Sequence, residues 1–129
     1  MGQGIMVECS ECYNEQGYTL GIGRMYSSLE NVTSDIHWRT RNKIADFSAT
    51  GIIISEKFEH KLYYCKKCLT SHSRFWIKIE KDCGAIFETE FKCSKCKSRM
   101  IEGELDFTKY SCNSCGEKKL TIISEMVWD

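Results

Sequence analysis

The sequence predicts a β-rich α+β fold, and two observations lead to this prediction. Eight of its nine cysteines form four Cys-x-x-Cys pairs, a spacing that shapes tight turns between extended segments. Several further segments alternate apolar and polar residues, as half-buried strands do, whereas one stretch shows helical periodicity. We therefore expect strands joined by cysteine-bearing turns, together with one helix.

The paired cysteines indicate bound zinc. Disulfide-rich secreted domains favour varied cysteine spacings and an even count, whereas repeated Cys-x-x-Cys turns aim their sulfurs at metal ions. Two such turns make a closed four-thiolate site, which is structural because it keeps no position open for a substrate. We expect two structural Zn²⁺ ions, held by Cys9, Cys12, Cys65, Cys68, Cys93, Cys96, Cys112 and Cys115.

The order of the pairs along the chain predicts which of them share an ion. The third and fourth pairs are separated by 15 residues, which is zinc-ribbon spacing. The first and second pairs are separated by 52 residues, and we expect them to form a second ribbon that contains an insertion. Two alternatives stay open. One is a cross-brace that joins the first pair to the third and the second to the fourth, and the other is a site that uses His72.

Sequential pairing predicts two zinc ribbons that pack as one compact unit. The first covers residues 1–80 with an inserted helix at about 29–48, and the second covers residues 81–129. A Ser-x-x-Glu capping box at Ser27 and Glu30 starts the helix, and Gly51 follows as a stop. The apolar stripe of this helix consists of Leu29, Val32, Ile36, Ile44 and Phe47.

Six further segments are expected as strands. RFWIKIE has the clearest pattern, because Phe75, Ile77 and Ile79 share one face while Trp76 lies on the other. GIIIS is expected as a buried strand, and strands are expected to enter or leave the cysteine turns in HKLYYCKKC, AIFETEFKC, GELDFTKYSC and KKLTIISEMVW.

The glycine-rich stretch Gly17–Gly23 matches neither a dinucleotide fingerprint nor a P-loop. Its glycines are best explained by backbone geometry beside a metal turn. A weaker interpretation is an anion site at the start of the predicted helix, formed by Arg24, Ser27 and Ser28.

The first cysteine pair, GYTLGIGRMYSS, KLYYCKKC and the final VWD together resemble a group of small bacterial zinc-ribbon proteins. The likeness covers most of the chain, and its most specific parts are the Leu-Gly-x-Gly segment and the LYYC approach to the second cysteine pair. The resemblance implies a cytoplasmic zinc-ribbon protein with sequential pairing of the cysteines, and it implies no activity.

The candidate functional residues favour a binding protein over an enzyme. No nucleophile, base and orienting group stand together, and Cys83 is best explained as an ordinary thiol. Neither a catalytic site nor a small-molecule substrate is therefore expected. An outward-facing Trp38 near Arg39 and Arg41 has the composition of an interface hot spot, and Trp76 is a second candidate. We expect contact with a protein partner or a second copy of the chain.

Two other functions remain as alternatives. Trp38 with Arg39, Arg41 and Lys43 also suits a nucleic-acid surface, although the formal net charge is zero and falls to about −4 with two four-thiolate zinc sites. A thiol switch that loses zinc on oxidation is the other alternative. No apolar run approaches membrane-spanning length and no secretory signal opens the sequence, so a cytoplasmic location is expected.

Overall fold

A computed structural model describes residues 2–21 and 36–128 of the chain. These residues form one antiparallel sheet, one α-helix and one short 3-10 helix. The strands are β1 Gly2–Cys9, β2 Glu15–Gly21, β3 Ile53–Tyr64, β4 Ser71–Lys81, β5 Ile86–Glu88, β6 Ile101–Glu102 and β7 Leu120–Trp128. The helix α1 covers Trp38–Ser48, and the 3-10 helix covers Phe107–Lys109. The expectation of a β-rich α+β fold is confirmed.

The first and last strands of the chain are neighbours in the sheet. The order is β5-β4-β3-β2-β1-β7, and β6 pairs with the end of β3. β1 and β7 pair from Gly2 opposite Trp128 to Cys9 opposite Leu120, with a bulge at Ile123. As a result, the turn that follows β1 lies beside the turn that precedes β7.

Three hydrophobic clusters bury the apolar faces of the strands. The first lies on β1 and β2, where Ile5, Val7 and Tyr18 pack with Leu120 of β7 and with the 3-10 helix. In the second, Ile44 of α1 covers Ile77 and Ile79 of β4, which confirms the alternation predicted for RFWIKIE. The third surrounds two cysteine turns and contains Tyr63, Cys65, Cys93, Met100 and partly buried Phe91.

The helix differs from the prediction at its start. It ends at Ser48 as expected, but within the described residues it begins at Trp38, so the expected helical state of residues 36 and 37 is wrong. The His37 imidazole explains this start, because its Nδ1 accepts a hydrogen bond from the Arg39 N–H at 3.2 Å and so caps the helix. The expected capping box and residues 29–35 lie outside the described part of the chain.

Four strand predictions need correction. GIIIS and HKLYYCKKC contribute to a single strand, β3, and GIIIS is not buried because Ile52 and Ile54 are 65% and 63% exposed. AIFETEFKC contains only the short strand β5. GELDFTKYSC contains the 3-10 helix, because Asp106 accepts hydrogen bonds from the Thr108 N–H and hydroxyl and caps that turn.

Candidate metal centres

The eight paired cysteines gather into two four-cysteine groups. The outer group is Cys9, Cys12, Cys112 and Cys115, and the inner group is Cys65, Cys68, Cys93 and Cys96. Within each group all four sulfurs lie within 4.8 Å of one another. The Cys9–Cys115 and Cys12–Cys112 sulfur distances are both 3.6 Å, and the Cys65–Cys96 distance is 3.4 Å. Four sulfurs placed about 2.3 Å from a tetrahedral zinc are about 3.8 Å apart, so both groups fit this metal.

The two groups are nested along the chain. The first turn joins the fourth and the second joins the third, so the predicted sequential pairing is wrong. The cross-braced alternative is not observed either, and His72 belongs to neither group. The boundary between the two predicted ribbons, at residue 80, falls inside β4. Each four-cysteine group contains cysteines from both sides of this boundary.

Strand pairing explains the outer group. Cys9 ends β1 opposite Leu120, which begins β7, and the Ser10 N–H donates to the Lys119 carbonyl at 3.0 Å. Because Cys112 and Cys115 lie just before β7, this pairing carries their turn to the turn that follows β1.

A different set of pairings assembles the inner group. The turn that carries Cys65 and Cys68 joins β3 to β4. The turn that carries Cys93 and Cys96 leads into β6, which pairs with Tyr63 and Tyr64 at the end of β3. The second and third turns are therefore held at the same end of β3.

All four cysteine turns share one backbone geometry. In each turn, the N–H of the first cysteine donates to the carbonyl five residues later, and the first cysteine's own carbonyl accepts from the residue after the second cysteine. These distances are 2.8 to 3.0 Å. The residue after the second cysteine has a left-handed φ of 59° to 82° in every turn, and these residues are Tyr13, Leu69, Lys97 and Gly116.

Burial distinguishes the two cysteines of each turn. The first is buried in all four turns, whereas the second is exposed at Cys12, Cys96 and Cys115 and half-buried at Cys68. Each group thus has two sulfurs embedded in a hydrophobic cluster and two nearer to water. A metal at either group would be anchored to the core through its buried pair.

Hydrogen bonds within the inner group shift the pKa values of two of its thiols in opposite directions. Hydrogen bonds from the Ser98 side chain and backbone lower the pKa of Cys96 to about 6. The Cys68 thiol hydrogen-bonds with Cys96, and this contact together with burial raises the pKa of Cys68 to about 12. The lowered pKa favours the thiolate form of Cys96, which is the form that binds metal.

A partly buried polar network connects the two groups. Asn113, inside the fourth turn, donates from Nδ2 to the Ser71 carbonyl at 3.0 Å and accepts from the Ser71 N–H at 3.3 Å. Its own N–H donates to Gln16 at 2.8 Å. Ser111 donates from its hydroxyl to the Cys68 carbonyl at 3.0 Å. Across the described residues, every buried side-chain nitrogen and oxygen has a hydrogen-bond partner.

The network was not predicted from the sequence. Asn113 occupies an x position of a Cys-x-x-Cys turn, where polar residues are ordinary, and Ser71 lies 42 positions away. Since no local pattern relates the two residues, only the folded arrangement of the turns identifies their contact.

The predicted partner-binding residues lie in different environments. Trp38 is 54% exposed at the first position of α1, with the Arg39 guanidinium 5.3 Å from its ring centroid, and Arg41 is also exposed. Trp76 is instead half-buried, because the Lys61 ammonium lies 3.7 Å from its ring centroid and its indole N–H donates to Glu88 at 2.7 Å. The geometry therefore leaves Trp38 more accessible than Trp76.

The remaining candidates are not brought to either group. Cys83 is exposed in the turn between β4 and β5, and His72 lies in β4, where burial lowers its pKa. Gly17 lies in β2, and Gly21 ends that strand with a φ of 77°, a geometry that favours glycine. The proposed anion site at Arg24, Ser27 and Ser28 lies outside the described residues.

Comparison with known protein families, curated proteins and solved structures found no match. The resemblance to small bacterial zinc-ribbon proteins stays a hypothesis, while the two four-cysteine groups are consistent with zinc-ribbon-like motifs. In residues 2–21 and 36–128, no helix has the length and apolar character needed to cross a membrane.

We predict that paired cysteine substitutions distinguish nested from sequential groups. Zinc-loaded Cys12→Ser/Cys115→Ser should retain one zinc ion, because both changes fall in the outer group. Cys12→Ser/Cys68→Ser should retain none, because it damages both groups. Native mass spectrometry at neutral pH counts the bound zinc ions directly. Sequential pairing would give the opposite result, with no zinc in the first variant and one zinc ion in the second.

We predict that Asn113→Ala lowers the free energy of unfolding by about 1–3 kcal/mol, because it removes a hydrogen-bond partner from the buried N–H of Ser71. Urea unfolding at a fixed zinc concentration measures the loss. Ser94→Ala is the matched control, since exposed Ser94 holds the same position in the third turn, and it should change stability by less than about 0.5 kcal/mol. Equal losses in both variants would contradict a specific role for the network.

Proposed function

We propose that this chain is a non-catalytic binding module, stabilised by two structural zinc ions, that acts through contact with another protein molecule. Two features support it. The cysteine groups supply four sulfurs each, which is a complete ligand set for structural zinc. The far edge of the sheet, at β7, presents apolar side chains to solvent. That exposed apolar edge is the observation from which we infer protein contact.

Zinc would contribute folding energy rather than chemistry. Binding to a four-thiolate site is worth on the order of 10–16 kcal/mol at neutral pH, and this free energy becomes folding free energy when the site exists only in the folded chain. The residues of this chain provide what such a site needs: rigid turns closed by backbone hydrogen bonds, and a buried first cysteine in each turn. A closed ligand set favours a structural role over catalysis.

We define the edge surface as Ile122, Ile123, Met126 and Val127 of β7, whose side chains are 45% to 65% exposed. Every residue from Thr121 to Val127 is exposed, although β7 belongs to the sheet. Large apolar side chains concentrated at a sheet edge are typical of a surface that another protein covers.

Trp38 provides a second candidate contact. Its ring is more than half exposed, and Arg39 stacks on it, a pairing common at interface hot spots. We propose that Trp38 and Arg39 contribute to partner binding, with Arg41 beside them on the exposed side of the helix.

Nucleic-acid binding is the second candidate function. It is favoured by the exposure of Trp38, Arg39, Arg41 and Lys43 on one short helix, where an aromatic ring and cations lie together. The edge surface argues for protein instead, because β7 contains no lysine or arginine. A strong fall of affinity with rising salt identifies nucleic-acid binding, since it reports the release of counterions from phosphates.

We predict that native mass spectrometry of the untagged protein finds two zinc ions and, at near-physiological salt, no adduct with mixed nucleic acid. Affinity capture from a lysate of the host then tests protein contact. The Val127→Lys bait should capture less protein than the wild-type bait, because a charge replaces an apolar contact. The captured protein includes any further copies of the chain.

Ile54→Lys is the matched control for capture. Ile54 and Val127 are both 63% exposed, but Ile54 lies near the start of β3 rather than on β7. Its bait should capture the same protein as wild type. A persistent nucleic-acid adduct, or equal capture by all three baits, would contradict the proposed function.

A further inference from the structure

We infer that β7 pairs antiparallel with β7 of a second copy of this chain, so that two sheets join across a twofold axis. This inference rests on the proposed function, because it identifies which protein covers the edge surface. The occupant is a second copy, and the strand's geometry, apolar content and charge pattern are the grounds for choosing it.

The two edges of the sheet differ in how they are protected. One edge consists of the three-residue β5 and the part of β4 that β5 does not cover. There, side chains of Asn113 and Thr89 already bind backbone groups of Ser71 and Ile77, so little free backbone remains for pairing. The other edge is β7, which has nine residues and, among the described strands, pairs only with β1. Its sequence LTIISEMVW contains no proline, lysine or arginine, the residues that commonly block edge pairing. β7 therefore has the length and composition of a strand that receives another strand.

The bulge in β7 supports a symmetric partner. Leu120 and Glu125 lie opposite Cys9 and Ile5 on one face of β1, whereas Thr121 and Ser124 lie on the other face. Thr121 and Ser124 are three residues apart and yet share a face, so the alternation of side chains along β7 is interrupted at Ile123. A regular strand paired with β7 would therefore match the faces of β7 on only one side of the bulge. A second β7 carries the same interruption and can stay in phase on both sides of it.

A twofold axis between Ile122 and Ile123 satisfies this condition. It places Ile122 opposite Ile123 of the second copy at the two bulges. It also pairs Thr121 with Ser124 and Leu120 with Glu125, and the two residues of each of these pairs share a face of the sheet. Branched apolar pairs and hydroxyl pairs are favourable across strands. The result is an isologous interface, in which the same residues of both copies meet.

Charge complementarity favours the same register. Glu125 is the only charged residue in β7, and exposed Lys118 lies just before the strand. In this register, Lys118 of one copy lies diagonal to Glu125 of the other, within reach of its long side chain. The two Glu125 residues are about 14 Å apart along the strand direction, because Leu120 and Glu125 lie opposite Cys9 and Ile5, four ladder steps apart. A register centred on Glu125 would instead place like charges opposite each other.

The test is the mass of the purified, zinc-loaded full chain in solution, measured by light scattering during size-exclusion chromatography over a range of concentrations. We expect twice the 15.0 kDa chain mass for wild type. Ile123→Lys should raise the dimer dissociation constant by about tenfold or more, because it places charge beside the axis. Ile54→Lys should dimerise like wild type, and unchanged zinc content with unchanged circular dichroism verifies that both variants fold.

A charge exchange tests the register itself. Lys118→Glu and Glu125→Lys should each weaken the dimer, and the double variant should recover it, because the exchange restores opposite charges at the diagonal. A wild-type monomer, or equal dimerisation of Ile123→Lys and Ile54→Lys, overturns the inference. Edge-dependent capture of a different protein by a monomeric chain would overturn the second copy as occupant while leaving the proposed function standing.

Discussion

The pairing of β1 with β7 is the constraint on which the rest of the structure depends. It joins segments more than 100 residues apart in sequence and places Cys9 beside Leu120. The Cys9–Cys115 and Cys12–Cys112 contacts span 106 and 100 residues, so the outer group exists only when this pairing has formed. The same pairing leaves β7, rather than β1, at the edge of the sheet. The outer four-cysteine group and the exposed edge at β7 thus have a common structural origin.

The polar network makes the two metal groups parts of one structure. Asn113 satisfies both backbone groups of Ser71 in the way that a neighbouring strand would, and Ser111 reaches the carbonyl of Cys68. Because Ser71 is buried, leaving one of its backbone groups unpaired costs more than the bond itself contributes. The network therefore favours a fixed distance between the outer and inner groups.

The sequence is informative wherever the signal is local. Eight cysteines with one repeated spacing identify the sulfurs that gather, and the alternation of Phe75, Ile77 and Ile79 identifies the buried face of β4. The end of α1 is also local, since a glycine with a left-handed φ follows at Gly51. These features depend on residues only a few positions apart, which is the range over which periodicity and turn chemistry act.

Local sequence signals do not specify which cysteine turns share a group, nor the order of the strands in the sheet. These two features could therefore not be predicted from the sequence. Every turn has the same backbone geometry, so nothing in a Cys-x-x-Cys segment specifies which other turn it meets. Three of the four left-handed positions hold Tyr13, Leu69 and Lys97 instead of glycine, so the geometry itself lacks a clear residue signal. The nested arrangement follows from long-range strand pairing, which depends on the whole sheet rather than on any one segment.

The nested arrangement of the cysteines is tested most directly by NMR of the protein with cadmium-113 in place of zinc, because scalar coupling links each metal to the β-protons of its own cysteine ligands. Nested groups should give two cadmium signals, one coupled to Cys9, Cys12, Cys112 and Cys115 and the other coupled to Cys65, Cys68, Cys93 and Cys96. A cadmium signal coupled to both Cys12 and Cys68 would contradict this arrangement, since no nested arrangement places those two sulfurs on the same ion.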